Sequence, residues 1–271
     1  MLKTRVITAV ILLAVLVPVV LFAPIAGVGA LFAFIVVFGG WEWARLLQVK
    51  GIGPVLYAAA LGAILVGTTA HFGLNIPGLY LAAAIFWVFV GPFALIRKPV
   101  LTAGAWRIFL LIAGIVVLVA AWHAVVQART IGVVFVLSLL LIVWVADVGA
   151  YFAGKAFGRH KLAPSVSPGK TWEGALGGLA LALILAVVLH GVRAAQPNYF
   201  TVDAALYGTA RMLVWVACLV AFSVLGDLFE SLLKRQAGVK DSSNLLPGHG
   251  GVLDRIDAML PVLPLAMLLL T

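Results

Sequence analysis

A chain of 271 residues that is 65% hydrophobic and only 10% charged has too little polar surface to close a water-facing globule. Its formal charge of +9 is scattered over short segments, which argues against nucleic acid as a partner. It suits membrane topology and attraction for anionic lipids and phosphates instead. The single cysteine, Cys218, lies in an apolar run and excludes an intrachain disulfide or a cysteine-rich metal site.

Apolar stretches of roughly 18–22 residues recur, each long enough as a helix to cross a hydrocarbon core of ~30 Å. The sequence predicts an all-α integral membrane bundle of nine transmembrane helices, at 6–23, 26–47, 54–73, 78–96, 107–127, 130–153, 173–190, 210–229 and 253–270. The first has the basic start and apolar core of a secretory signal, but so many spans follow that it reads as a retained first helix. No break between the helices could hold a soluble domain. The expected division is therefore 1–105 as a helical scaffold and 106–271 as the half carrying the site. With the N-terminus cytoplasmic, fifteen of the 18 Lys and Arg fall inside and only Arg129, Arg193 and Arg211 outside. This asymmetry puts the C-terminus outside.

The first half carries little recognisable chemistry. Glu42, its one acid, is expected to pair with Arg45 at i, i+3 near a helix end. Trp41, Trp43, Trp87 and Trp106 fall near span ends and read as interfacial anchors, and His71 and His123 as packing or interfacial residues.

The acids Asp147, Glu173, Asp227, Glu230, Asp241, Asp254 and Asp257 all belong to the second half. Asp147 interrupts an apolar run, where a charge costs about 2.5–3.5 kcal/mol and so calls for a partner or a function. Tyr151 and Gly154 follow on its face. The segment Ser167-Pro168-Gly169-Lys170-Thr171 leads into the seventh helix. Its hydroxyls read as caps, Pro168 as a first helical residue, and Lys170 beside free N–H groups as a place for phosphate. Gly174 and Gly178 make a small-xxx-small pair for helix packing.

Ser223, Asp227, Glu230, Ser231 and Lys234 share one helix face by their spacing. The stretch Ser231–Asp257 then gathers Lys234, Arg235, Lys240, Asp241, His249, Asp254, Arg255 and Asp257 around a Pro247-Gly248 turn and the Gly250-Gly251 pair. The two glycines allow close backbone approach to a ligand. A helix from Asp254 to the C-terminus would be only about 25 Å long, which sets Asp254 at or just below the cytoplasmic interface. Carboxylates from two helices facing a basic loop suit Mg²⁺, which takes one or two protein carboxylates plus water and phosphate oxygens. Neither a Cys/His zinc site nor a Gly-x-Ser-x-Gly hydrolase elbow is present.

The run S-x-L-K-R-x4-K-D-x-S-x2-L-P-x-H-G-G-V-x-D-R-I-D, from Ser231 to Asp257, resembles the signature of the phosphatidate cytidylyltransferases (CDP-diacylglycerol synthases). The Asp147/Tyr151/Gly154 helix and the Ser167–Thr171 loop resemble family features too, whereas the first hundred residues match only as hydrophobic helices. The resemblance implies transfer of CMP from CTP to phosphatidate, with Mg²⁺, a second monovalent cation and a homodimer. It also implies a bacterial inner-membrane enzyme working on the cytoplasmic side. On this reading Asp227 and Asp254 bind Mg²⁺, and Asp257 or Asp241 is a third ligand or a supporting partner. Lys170, Lys234, Arg235, Lys240 and Arg255 hold phosphates, with Ser167, Thr171, Gly250, Gly251 and Asp147 lining the substrate site and His249 orienting a phosphate. Two other readings are a CTP-dependent polyprenol or dolichol kinase and a secondary transporter using Asp147 and Asp227. Transport is disfavoured because the acids sit in one half of the chain rather than in matching halves.

Overall fold

The computed structural model describes residues 2–192 and 197–270. Arg193 lies outside the described residues, as do the side chains of Lys3 and Arg5. The chain is a helical bundle of α1 (Leu2–Phe22), α2 (Ile25–Leu46), α3 (Gly53–Phe72), α4 (Pro77–Ile85), α5 (Gly91–Arg97), α6 (Gly104–Ile131) and α7 (Val133–Phe157). A short hairpin, β1 (Lys161–Ala163) and β2 (Ser167–Thr171), follows. Then come α8 (Trp172–Gly191), α9 (Tyr199–Tyr207), α10 (Thr209–Ala237), α11 (Leu253–Ile256) and α12 (Met259–Leu268). Among the described residues 7 helices are long and apolar enough to cross a membrane, with Pro77–Arg97 counted as one. Within that span a π-helical turn, Phe86–Val90, absorbs the hydrogen bond that Pro92 cannot donate.

Two shorter apolar helices, Ile7–Phe22 and Met259–Leu268, coincide with the first and ninth predicted spans. The ninth is not the single helix expected over 253–270. It breaks at Asp257-Ala258, because Pro261 lacks the N–H that would bond back to the Asp257 carbonyl. That leaves α12 with 10 residues, a length of about 15 Å against a ~30 Å core. The short α9, capped by Asn198 and Thr201 in a reciprocal box, was not expected either.

Packing between membrane helices draws on close contact rather than on expulsion of water. Along the α7–α8 seam, a Cβ on Gly178 would sit 2.5 Å from the Ala146 carbonyl, and one on Gly149 2.9 Å from that of Gly177. The small-residue reading of Gly174 and Gly178 therefore holds, and α7 contributes matching glycines. In the centre, Trp43 and Trp87 are almost fully buried and pack on Phe229 with ring centroids 6.0 and 5.6 Å away. Trp43 also donates from Nε1 to the Leu110 carbonyl, 2.9 Å. These two tryptophans are core residues, not interfacial anchors, because their ring faces are spent on Phe229. His123 is likewise buried, its ring bridging Thr68 Oγ1 and the Leu74 carbonyl at 3.0 Å each. This fulfils the packing role expected of it.

Candidate functional site

Helix α10 runs a full two turns beyond its predicted end, so Ser231, Lys234 and Arg235 are helical residues rather than part of a loop. The shared face is real. Ser231 Oγ donates to Asp227 Oδ1 at 3.3 Å, and Lys234 Nζ donates to Glu230 Oε2 at 2.5 Å.

A cavity of about 430 Å³ opens between α7, α8, β2 and α10. Asp147, Tyr151 and Gly154 line it from α7, Lys170 and Thr171 from β2, and Ser223 and Asp227 from α10. The sequence-predicted face of α7 thus meets the predicted face of α10. Lys170 forms an ion pair with Asp227 across the cavity. Asp147 makes no hydrogen bond or ion pair among the described residues, so it has no structural lysine partner there. The segment carrying Lys170 is a β-strand, with Lys161 paired to Thr171 and Ala163 to Ser167. Pro168 is therefore a strand residue and not the first residue of a helix. The cap belongs to Thr171, whose Oγ1 accepts from the Gly174 N–H at 3.1 Å.

Asp254 is held from every side. Oδ1 accepts from Lys234 Nζ at 2.5 Å, and Oδ2 accepts from the N–H groups of Ser242 and Gly251 and from Ser242 Oγ at 2.8 to 2.9 Å. Burial pushes its carboxyl upward, but the Lys234 bond and the two N–H bonds outweigh that and hold it below the usual carboxylate range. Asp257 behaves oppositely. Burial, and then the nearby charge of Asp227, push it up to about 7, against smaller opposing contributions from the Ala258 N–H, Lys234 and Lys170.

The acid that sequence reasoning misplaced is Glu42. It does not pair with Arg45, which stacks its guanidinium 4.5 Å from the Trp41 ring. Glu42 is fully buried. Its Oε1 accepts from Ser243 Oγ (2.5 Å) and the Val252 N–H (3.0 Å), and its Oε2 from Ser242 Oγ (3.1 Å) and the Leu253 N–H (2.5 Å). A helix of the expected scaffold half therefore belongs to the site. One cue was present in the sequence: a lone acid in an otherwise apolar half must find donors somewhere, and i, i+3 spacing offered only the nearest. The Gly250-Gly251 pair, expected to admit a ligand, admits these carboxylates. A Cβ on Gly251 would lie 2.1 Å from Ser242 Oγ and 2.4 Å from Glu42 Oε1, and one on Gly250 2.6 Å from Asp254 Oδ2.

Lys240 and Asp241 line a second cavity of about 580 Å³, walled by Trp41, Arg45 and the residues 242–245. Arg235 donates from Nε to the Val166 carbonyl at 3.2 Å, tying α10 to the hairpin. Arg255 is exposed. His249 closes the Pro247-Gly248 turn through its backbone N–H, 2.8 Å from the Leu246 carbonyl, while its ring Nδ1 is buried with no hydrogen-bond partner among the described residues.

Fold and site together define a polytopic membrane protein that gathers carboxylates and cations around a cavity between its helices and a clamped, glycine-containing loop. The chain matches the model of the cytidylyltransferase family over residues 3–271, and it belongs to that family. It is 41% identical to a phosphatidate cytidylyltransferase of Pseudomonas aeruginosa over 100% of this chain and 97% of the relative. A phosphatidate cytidylyltransferase of Haemophilus influenzae is 36% identical over 97% and 96% of the two chains. One from Staphylococcus saprophyticus is 33% identical over 99% and 98%.

Proposed function

We propose that the chain transfers CMP from CTP to phosphatidate, giving CDP-diacylglycerol and pyrophosphate. The observation that carries the reading is the cavity between α7, α8 and α10, where the acids Asp147 and Asp227 and the cation Lys170 face one another inside apolar helices. That combination suits an anionic lipid headgroup entering from a bilayer and a nucleotide entering from water.

In the reaction a phosphatidate oxygen bonds to the α-phosphorus of CTP as the bond to the β-phosphate oxygen breaks and pyrophosphate leaves. The attacking oxygen is already ionised at neutral pH, so no strong base is required. The chain's task is to hold two polyanions in line and offset their charge. On this reading Lys170, which lines the cavity, and Lys240, which lines the second one, take phosphates together with the exposed Arg255, while Lys234 and Arg235 carry further positive charge on α10.

The donor set fits a hard cation. Asp227 and Asp254 each already draw an ammonium, from Lys170 and Lys234, and all their ligating atoms are oxygens. Asp227 would hold Mg²⁺ from the cavity wall, and Asp254 would join it by exchanging the Lys234 ammonium for the cation. Mg²⁺ supplies charge neutralisation at the transferred phosphoryl group and the leaving pyrophosphate. The positive-inside asymmetry supports a site on the cytoplasmic side of a bacterial inner membrane.

The test is incubation of purified protein with CTP, phosphatidate and Mg²⁺. Pyrophosphate and a CDP-lipid are expected. Release of CDP with a phosphorylated lipid would replace this reading with that of a lipid kinase.

A further inference from the structure

We propose that Glu42 is a positioning residue for this transfer, an inference that rests on the activity proposed above. Its carboxylate clamps the two ends of one loop. Ser242 and Ser243 open the segment and Val252 and Leu253 close it, and all four donate to Glu42 across more than 195 residues of sequence. Between them run the Pro247-Gly248 turn, His249 and both site glycines. Thr8 adds one outer tie, its Oγ1 donating to the Pro247 carbonyl at 2.8 Å.

The clamp is nested with the surroundings of Asp254. Ser242 Oγ lies 3.1 Å from Glu42 Oε2 and 2.9 Å from Asp254 Oδ2, so one hydroxyl proton is shared between two carboxylates. Gly251, whose missing Cβ makes room for Glu42, gives its N–H to Asp254. Asp254 in turn holds Lys234. Displacing Glu42 therefore displaces the donors that orient Asp254 and, through it, the ammonium on α10.

A carboxylate is required because each of its oxygens accepts two bonds. An amide at the same place would offer one oxygen and turn an NH₂ toward two donors. α2 is built to receive the segment, since a Cβ on Gly39, one turn before Glu42, would come within 3.2 Å of Ile256 Cδ1. Glu42 touches none of the cavity between α7, α8 and α10, so it acts through the loop.

The experiment compares the parent chain with Glu42→Gln, reading turnover per folded molecule, half-saturating Mg²⁺, thermal unfolding, and hydrogen exchange in peptides covering residues 242–253. Supporting residues around a catalytic ion typically contribute ~10–100-fold to activity or metal affinity. The expected result is a loss of about that size in turnover, a raised Mg²⁺ requirement and faster exchange confined to the loop. Ser243→Ala removes one of the four donors without leaving a charge exposed, and is expected to shift the same quantities less. It decides the question if Glu42→Gln does not fold. Turnover per folded molecule and Mg²⁺ dependence equal to the parent's would overturn the proposal, even alongside a lower unfolding temperature. If the parent makes no CDP-lipid, the proposed activity fails by itself. Loop exchange then tests the clamp, and unchanged exchange overturns it.

Discussion

Substituting Gly251→Ala adds a single methyl group where a hydroxyl and a carboxylate already crowd. The new Cβ would lie 2.1 Å from Ser242 Oγ, 2.4 Å from Glu42 Oε1 and 2.7 Å from Glu42 Cδ. None of these can withdraw cheaply, because Glu42 is fixed by four hydrogen bonds and Ser242 by bonds to Glu42 and Asp254. Overpacking of this kind costs about 1–3 kcal/mol, and each hydrogen bond to a charged group that must open adds about 1.5–3 kcal/mol. The cheapest escape is for the loop to lift from α2, which leaves the transmembrane helices packed. At about 1.4 kcal/mol per factor of ten, a loop penalty near 3 kcal/mol predicts roughly a hundredfold lower turnover. The global unfolding temperature should move by only a few degrees. The assay is CTP- and phosphatidate-dependent pyrophosphate release by detergent-purified protein. Gly67→Ala serves as control, since a Cβ there meets nothing within 4 Å. Activity of Gly251→Ala within twofold of the control would refute the clamped-loop geometry.

Other substitutions separate the parts of the molecule. Asp227→Asn removes the cavity carboxylate paired with Lys170; product formation should fall at least a hundredfold at any Mg²⁺ concentration, while size-exclusion behaviour stays that of the parent. In Gly178→Val, side-chain atoms would be forced against the Ala146 carbonyl, 2.5 Å from the Cβ position. This should wedge α7 from α8, lowering both unfolding temperature and activity, and a merely inactive but fully stable variant would contradict the seam. His123→Leu strands the Leu74 carbonyl and leaves the Thr68 hydroxyl only its bond within α3, among residues that line neither cavity. A loss of about 1–3 kcal/mol in stability is expected, visible as a lower unfolding temperature with turnover per folded molecule unchanged.

Membrane crossing was legible in the sequence because it depends on local quantities. Unbroken apolar length, Pro and Gly at the breaks and the spread of Lys and Arg are all read within one window, and the long helices fall close to where those signals put them. The departures arise where a local rule meets a distant partner. The end of α10 carries Lys234, whose charge argues for water until Glu230 and Asp254 enclose it. Ser167–Thr171 has capping chemistry, yet its residues pair across a hairpin with Lys161 and Ala163. Trp43 and Trp87 sit near span ends, where tryptophan is ordinarily interfacial, but Phe229 gives them a core.

By itself the sequence determined that this chain is a helical membrane protein with its carboxylates concentrated in the second half. The run Ser231–Asp257 also marked the family, because both depend on residue type and spacing alone. Only the tertiary structure decided how those residues are shared out. It joins Asp147 and Asp227 across one cavity, encloses Asp254 among donors from its own loop and from Lys234, and brings Glu42 to both ends of that loop from a helix some two hundred positions earlier. Such placement follows from which buried donors must find acceptors once the helices pack, a condition satisfied across space and invisible to any window of sequence.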